Sequence, residues 1–158
     1  MAYSVFISHS TKDRGLVIAL AHLLEKFGAR VFVAEWYLSP GTPLDKKISE
    51  QINKSDCMVV LLTRSGIRSN WVQQEVGYAV GAGKTIIPLV EKGTGTKDLG
   101  ALQGREYIEY DISEPMSALS KVSDYIKHLK LKKEQKENTL LVLGGITALL
   151  LLLSGEKR

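Results

Sequence analysis

Two patterns of apolar residues take turns along this chain. Short contiguous runs, Tyr3-Ser4-Val5-Phe6-Ile7-Ser8, Arg30-Val31-Phe32-Val33-Ala34, Cys57-Met58-Val59-Val60-Leu61-Leu62, Thr85-Ile86-Ile87-Pro88-Leu89-Val90 and Tyr107-Ile108-Glu109-Tyr110, read as strands. Elsewhere apolar positions recur every three or four residues. Leu16, Leu20, Leu23, Leu24 and Phe27 predict a first helix that Gly28 closes, and Ile48 and Ile52 with flanking Asp45, Lys46, Lys47 and Glu50 predict a second. Ser69-Asn70 is a start signal for a third helix, which carries Trp71 and ends at Gly81-Ala82-Gly83; a last one covers Met116 to Leu131 and runs into a basic linker. Leu38-Ser39-Pro40-Gly41-Thr42-Pro43 is a loop by its turn residues, and Pro88 argues for a strand end.

The third run is apolar on both faces, as a central strand of a parallel sheet must be. Strands that alternate with helices at this spacing predict an α/β, flavodoxin-like fold: a five-stranded parallel sheet in the order 2-1-3-4-5 with helices on both faces. Ligands of such folds sit beyond the carboxyl ends of the strands. Attention therefore falls on Ser8 to Lys12, Glu35 to Pro43 and Thr63 to Asn70.

A chain of 158 residues, 44% hydrophobic, holds one such domain with a full core and leaves an appendage. The formal charge of +4 lies entirely in that appendage: residues 127–158 carry seven Lys/Arg against three Glu, and the body balances at fourteen of each sign. The domain has no electrostatic footprint for nucleic acid, and none is expected as a partner. Cys57, the only cysteine, has no partner for a disulfide and reads as a small hydrophobe within a strand. Met1-Ala2-Tyr3-Ser4 opens straight into a strand, so no secretory signal is expected.

Thr139 to Ser154, TLLVLGGITALLLLLS, is uncharged and apolar on every face, which suits lipid or a deep core. Its sixteen residues span ~24 Å as a helix against a ~30 Å hydrocarbon layer, so bilayer thinning or snorkelling lysines complete the fit. An apolar segment buried in an oligomer is the other reading. Five lysines before it and two basic residues after it favour a cytoplasmic N-terminal domain. The expected organisation, similar to that of tail-anchored proteins, is a domain over 1–126, a basic linker over 127–138 and a single-pass C-terminal membrane anchor over 139–155.

Candidate chemistry centres on Trp71-Val72-Gln73-Gln74-Glu75. Four residues apart on a helix, the indole and the carboxylate share a face and point into whatever cleft that helix borders. A Trp that anchors the helix on the sheet, with a solvated Glu one turn later, accounts for the same spacing, so the pair alone leaves both readings open. Other flavodoxin-like chemistries fail at their own positions. A response-regulator receiver needs an acidic pair after the first strand, an Asp after the third and a Lys after the fifth, where this chain has Ser8-His9-Ser10, Thr63-Arg64-Ser65 and Asp111-Ile112. Gly93-Thr94-Gly95 follows a late strand, so there is no P-loop and no dinucleotide fingerprint. No metal site is expected.

Taken in order, the pieces resemble a TIR domain. Val5-Phe6-Ile7-Ser8-His9-Ser10 with Asp13 is similar to the first box of that family, and Ser39-Pro40-Gly41 to the tip of its BB loop. Ser55 to Thr63, Ser65, and Ser69-Asn70-Trp71-Val72-Gln73-Gln74-Glu75 are similar to its third strand and the helix after it. The resemblance covers about residues 4 to 126 and is strongest to bacterial and archaeal immune-type members. It implies an enzyme that cleaves the nicotinamide–ribose bond of NAD+, with Glu75 in the catalytic position, giving nicotinamide and either ADP-ribose or a cyclic ADP-ribose-type signal in antiviral defence. NAD+ is then substrate, and no cofactor is expected.

One carboxylate suffices for such a reaction because nicotinamide leaves as a neutral molecule from a cationic ring and needs no proton. Ser8, His9, Ser10, Lys12, Trp36 and Trp71 are the candidate substrate-binding residues: backbone N–H groups near Ser10 and a lysine for the phosphates, the indoles for a ring. His9 capping local structure and Trp36 packing in its loop are equally open. The resemblance further implies a homo-oligomer through TIR–TIR contacts, with Ser39, Pro40 and Gly41 as a regulatory loop, and a separate effector protein that reads the product. Two other readings stand beside the enzyme: a non-catalytic TIR–TIR scaffold at the membrane, and an enzyme like the nucleoside deoxyribosyltransferases, which also set a Glu on a flavodoxin-like sheet.

Overall fold

Five strands, β1 (Ser4–Ser8), β2 (Arg30–Val33), β3 (Cys57–Leu62), β4 (Thr85–Glu91) and β5 (Ile108–Tyr110), form one parallel sheet in the order β2-β1-β3-β4-β5. The order is the expected one. The computed structural model describes residues 2–34, 44–95 and 99–155. Within these ranges five helices follow the strands: α1 (Arg14–Glu25), α2 (Leu44–Lys54), α3 (Arg64–Arg68), α4 (Asn70–Gly81) and α5 (Pro115–Gly155).

Alternation along the strands sorts the core into two layers. Val5 and Ile7 of β1, Val31 and Val33 of β2, and Val59 and Leu61 of β3 pack with α1 and α5, whereas Phe6, Met58, Val60 and Leu62 pack with α2 and α4. Every residue of β3 is buried, as its central place requires. Truncating a fully buried side chain such as Leu61 to Ala would cost about 2–5 kcal/mol. Gly28 closes α1 with φ +87°, and the backbone N–H groups of Gly28 and Ala29 donate to Glu25 and Leu24.

Three features depart from the sequence pattern. Pro88 lies inside β4, opposite Val60 of β3, rather than at a strand end. On its other side β5 pairs only from Leu89 onward, so β4 is an edge at Pro88, where a sheet tolerates proline. Helix α3 stands where a loop is expected. Its five residues carry no apolar period; it forms because the Thr63 hydroxyl accepts the Gly66 N–H at 3.0 Å and because Gly66 lies so close to β3 that a Cβ would meet Leu61 O at 2.0 Å.

The third departure is the length of α5. The helix expected to end near Leu131 runs unbroken through the basic stretch 127–138 and the apolar stretch beyond it. Residues 127–138 are rich in Lys, Leu, Glu and Gln, all good helix formers, with no Gly or Pro, and Lys130–Glu134 and Lys133–Glu137 pair at i,i+4. Ala118, Leu119, Val122 and Ile126 bury one stripe of α5 on the domain. Below that stripe Lys133 still holds the helix: its Nζ lies 3.0 Å from Asp56 Oδ1 and 5.9 Å from the centre of the Tyr3 ring. Beyond it the side chains have no protein neighbours to cover them; Leu141 is 73% exposed and Leu152 71%.

Candidate active site

Strand β1 and helix α4 bring two polar side chains into the interior. Ser8 follows Phe6 by two residues and shares its face, the one covered by α2 and α4. Helix α4 starts at Ser69, whose hydroxyl accepts the Val72 N–H at 3.3 Å. Its buried stripe is Val72, Val76 and Ala79, and Glu75 falls on that stripe rather than on the solvent side. Glu75 is 5% exposed and Ser8 fully buried.

Among the described residues neither carboxylate oxygen of Glu75 has a hydrogen-bond partner, and neither has the Ser8 hydroxyl. Buried polar atoms are nearly always paired, so three such atoms at one place single out this position as the candidate site. Burial pushes the Glu75 carboxyl up to about 8; the nearby Ser8 and Trp71 side chains pull it back only in part, from outside hydrogen-bonding geometry. Burial thus disfavours the ionised form of Glu75 near neutral pH.

Glu75 opens onto a cavity of about 280 Å³ between α2 and α4. Trp71, Glu75 and Tyr78, at i, i+4 and i+7, form one wall, and Ile48 and Ile52 of α2 face them. The Tyr78 hydroxyl accepts a hydrogen bond from Asn53 Nδ2 at 2.7 Å, which ties the far end of α2 to α4. The cavity is therefore a mainly apolar slot with aromatic rings along one wall, the Glu75 carboxyl between them, and Gln74 and Ser49 as its other polar lining. Its volume falls just below the roughly 300–1,000 Å³ of small-molecule sites, so it takes only part of a dinucleotide-sized molecule.

Of the residues singled out from sequence, Ser8, Trp71 and Glu75 come together. Of these Trp71 and Glu75 line the cavity and Ser8 lies behind Glu75; His9, Ser10 and Lys12 follow on from β1 and do not line it either. His9 is buried and close enough to Asp13 to favour its ionised form, against the burial that raises the Asp13 carboxyl. The Ser10 hydroxyl accepts the Lys12 N–H at 3.3 Å and caps the 3-10 turn Thr11–Asp13, while the Lys12 side chain is exposed. Asp13 accepts the Thr63 hydroxyl at 2.6 Å, joining the β1 loop to the start of α3. Trp36, Ser39, Pro40 and Gly41 lie outside the described residues. Tyr78, Asn53, Ile48 and Ile52 went unmarked as site residues; only the i+3 step from Glu75 pointed to Tyr78, and nothing in sequence linked it to Asn53.

Comparison with known proteins agrees with this fold. Over 97 residues, 58% of this chain and 34% of its relative, the sequence is 30% identical to the 2' cyclic ADP-D-ribose synthase BtTIR of Bacteroides thetaiotaomicron. It is 28% identical over 135 residues to the NAD(+) hydrolase TcpA of a Theionarchaea archaeon, covering 77% of this chain and 41% of that one. The chain thus spans less than half the length of these curated relatives. Among solved structures, the TIR domain of the Toll-related receptor TRR-2 from Hydra magnipapillata superposes with a TM-score of 0.64 at 22% identity, over 80% of this chain and 99% of that domain. Residues 5–122 match the family described as TIR domain, and the chain belongs to that family.

Proposed function

We propose that this chain cleaves the bond between nicotinamide and ribose in NAD+. The observation that carries the reading is the buried Glu75 carboxyl, unpartnered among the described residues, at an aromatic-walled slot. The names of the bacterial and archaeal relatives support it. In this reading the nicotinamide ring lies against Trp71, and Glu75 faces the ribose. The C1'–N bond breaks, its electron pair leaves with the neutral nicotinamide, and positive charge develops on the ribosyl carbon. A carboxylate held at that carbon in a dry site stabilises the charge far better than one in water. The cationic ring in turn favours the ionised form of Glu75, so substrate binding offsets what burial costs that form.

Water at the ribosyl carbon gives ADP-ribose; an internal nucleophile of the same molecule gives a cyclic product. The dinucleotide exceeds the slot, so its phosphates and adenine extend beyond it, toward the β1 end; Ser39, Pro40 and Gly41 are the residues proposed for contacts between domains. Assembly of domains through them is the proposed switch.

The apolar end of α5 is proposed as a membrane span with the domain on the cytoplasmic side. It is long and apolar enough to cross a bilayer and none of that stretch is buried. The deciding experiment is nicotinamide release and product mass from NAD+ for the full chain in lipid, beside Glu75→Gln. Release that vanishes in the variant supports the enzyme and its mass names the product; no release from any assembled form replaces the enzyme with the TIR–TIR scaffold.

A further inference from the structure

The edge of the sheet where the strands begin carries a second set of charges. Helices α1 and α2 end there, with Lys26 and Lys54 at their last turns, and Arg30 opens β2; all three are exposed. Lys84 lies on the same edge, its Nζ donating to Asn53 O at 2.7 Å and Ser55 O at 2.8 Å. On α5, Lys132 and Lys136 are exposed beside it. The acidic groups are fewer and several are engaged, Asp56 with Lys133, Glu134 with Lys130 and Glu137 with Lys133, while Glu25 at the end of α1, Glu50 one turn before Lys54 and Glu106 before β5 are exposed.

This edge also has a fixed height above the apolar stretch. Lys133 is bonded to Asp56, the residue before β3, and Thr139 begins the uncharged run six residues later on the same unbroken helix. Six residues of helix rise about 9 Å. The headgroup layer of one leaflet is roughly 5–8 Å thick, so no gap for bulk water remains between the edge and the bilayer surface.

We propose that the sheet's N-terminal edge, presenting Lys26, Arg30, Lys54, Lys132 and Lys136, is a docking surface for anionic phospholipid headgroups. The inference rests on the membrane span proposed above. It seats the domain on the membrane, with the Ser8 end of β1 turned toward the cytoplasm. Each lysine or arginine near an anionic surface adds attraction that salt weakens.

The test uses the full chain in vesicles of phosphatidylglycerol and phosphatidylcholine doped with a nickel-chelating lipid, which relaxes nitroxide labels near the headgroups. Labels go on Arg30→Cys at the basal edge, Arg64→Cys at the opposite edge and Ile146→Cys in the apolar stretch; Cys57 is buried and stays unlabelled. Several-fold stronger relaxation at position 30 than at 64, reduced by Lys26→Glu with Lys54→Glu or by replacing phosphatidylglycerol, supports the proposal. Equal relaxation at 30 and 64, or relaxation at 30 that ignores both changes, overturns it while the span stands. A label at 146 that is open to aqueous reagent overturns the span itself, and the docking with it.

Discussion

The two edges of the sheet treat polar groups in different ways. At the edge where the strands begin, exposed cations surround contacts that join the elements: Asp56 Oδ2 accepts the Ser4 N–H at 2.8 Å and also meets Lys133, and Lys84 donates to two carbonyls at once, with Gln51 Oε1 the buried side-chain atom left without a partner there among the described residues. At the edge where they end, Ser8 and Glu75 are buried with no partner for their side-chain oxygens among the described residues. Both edges place polar chemistry beside the same apolar core, so burial alone does not tell them apart. The grouping of unpartnered atoms does. A network of contacts holds elements together, whereas three unpartnered atoms at one place single out a candidate site.

The largest effect expected from breaking this contrast is catalytic. Glu75→Gln keeps the shape and removes the charge, and should lower nicotinamide release by about a thousandfold or more, read as kcat on NAD+. Release within tenfold of the wild type would end the catalytic assignment. Next comes stability. Folding raises the Glu75 carboxyl from its ordinary 4.5 to about 8, so between those values the folded protein holds a proton that the unfolded chain has lost. Stability therefore falls as pH climbs through that window, while Glu75→Gln has no such proton to lose. The Tm advantage of the variant should be small at pH 5 and widen to the equivalent of a few kcal/mol by pH 8. A gap that stays flat with pH would mean that Glu75 is solvated.

Trp71→Ala removes a wall of the slot and should raise KM about tenfold with a smaller change in kcat, consistent with about 1 kcal/mol of ring stacking. If KM is unaltered, the ring lies elsewhere. The smallest effect belongs to the edge where the strands begin: Lys133→Met breaks a pair whose side chains are 30% and 25% exposed, and should cost below about 1 kcal/mol in denaturant unfolding with no change in kcat. Activity that falls with this variant would show that the two edges are coupled.

Sequence carried the sheet because strand alternation and helical spacing are both local signals, repeated many times in Val5 to Ile7 or Cys57 to Leu62. It did not carry α3, since five residues have no room for a period and the helix depends on a Thr63 cap and the contact of Gly66 with a strand. Nor did it carry the full reach of α5, whose lysine-rich middle reads as solvated chain until the pairing of Lys133 with Asp56, distant in sequence, is seen. At the site the Trp71–Glu75 face was legible from spacing. The burial of Glu75 was not, because a carboxylate on an apolar stripe is what local rules reject. The backbone N–H groups of Ser10 and Thr11, with Lys12 close by, are expected for phosphates from a local signal, and the structure adds only that the Ser10 hydroxyl accepts the Lys12 N–H.

The unbroken α5 also makes azimuth a matter of counting. Each residue of helix turns the chain by about 100°. One residue inserted between Lys133 and Thr139 would therefore swing the apolar stretch about a quarter-turn around the axis relative to the TIR domain, and four would nearly restore it. A hinge would absorb such an insertion, but a continuous helix transmits it. The number of residues between the docked lysine and the apolar run thus sets which way Trp71 and Glu75 look around the helix axis.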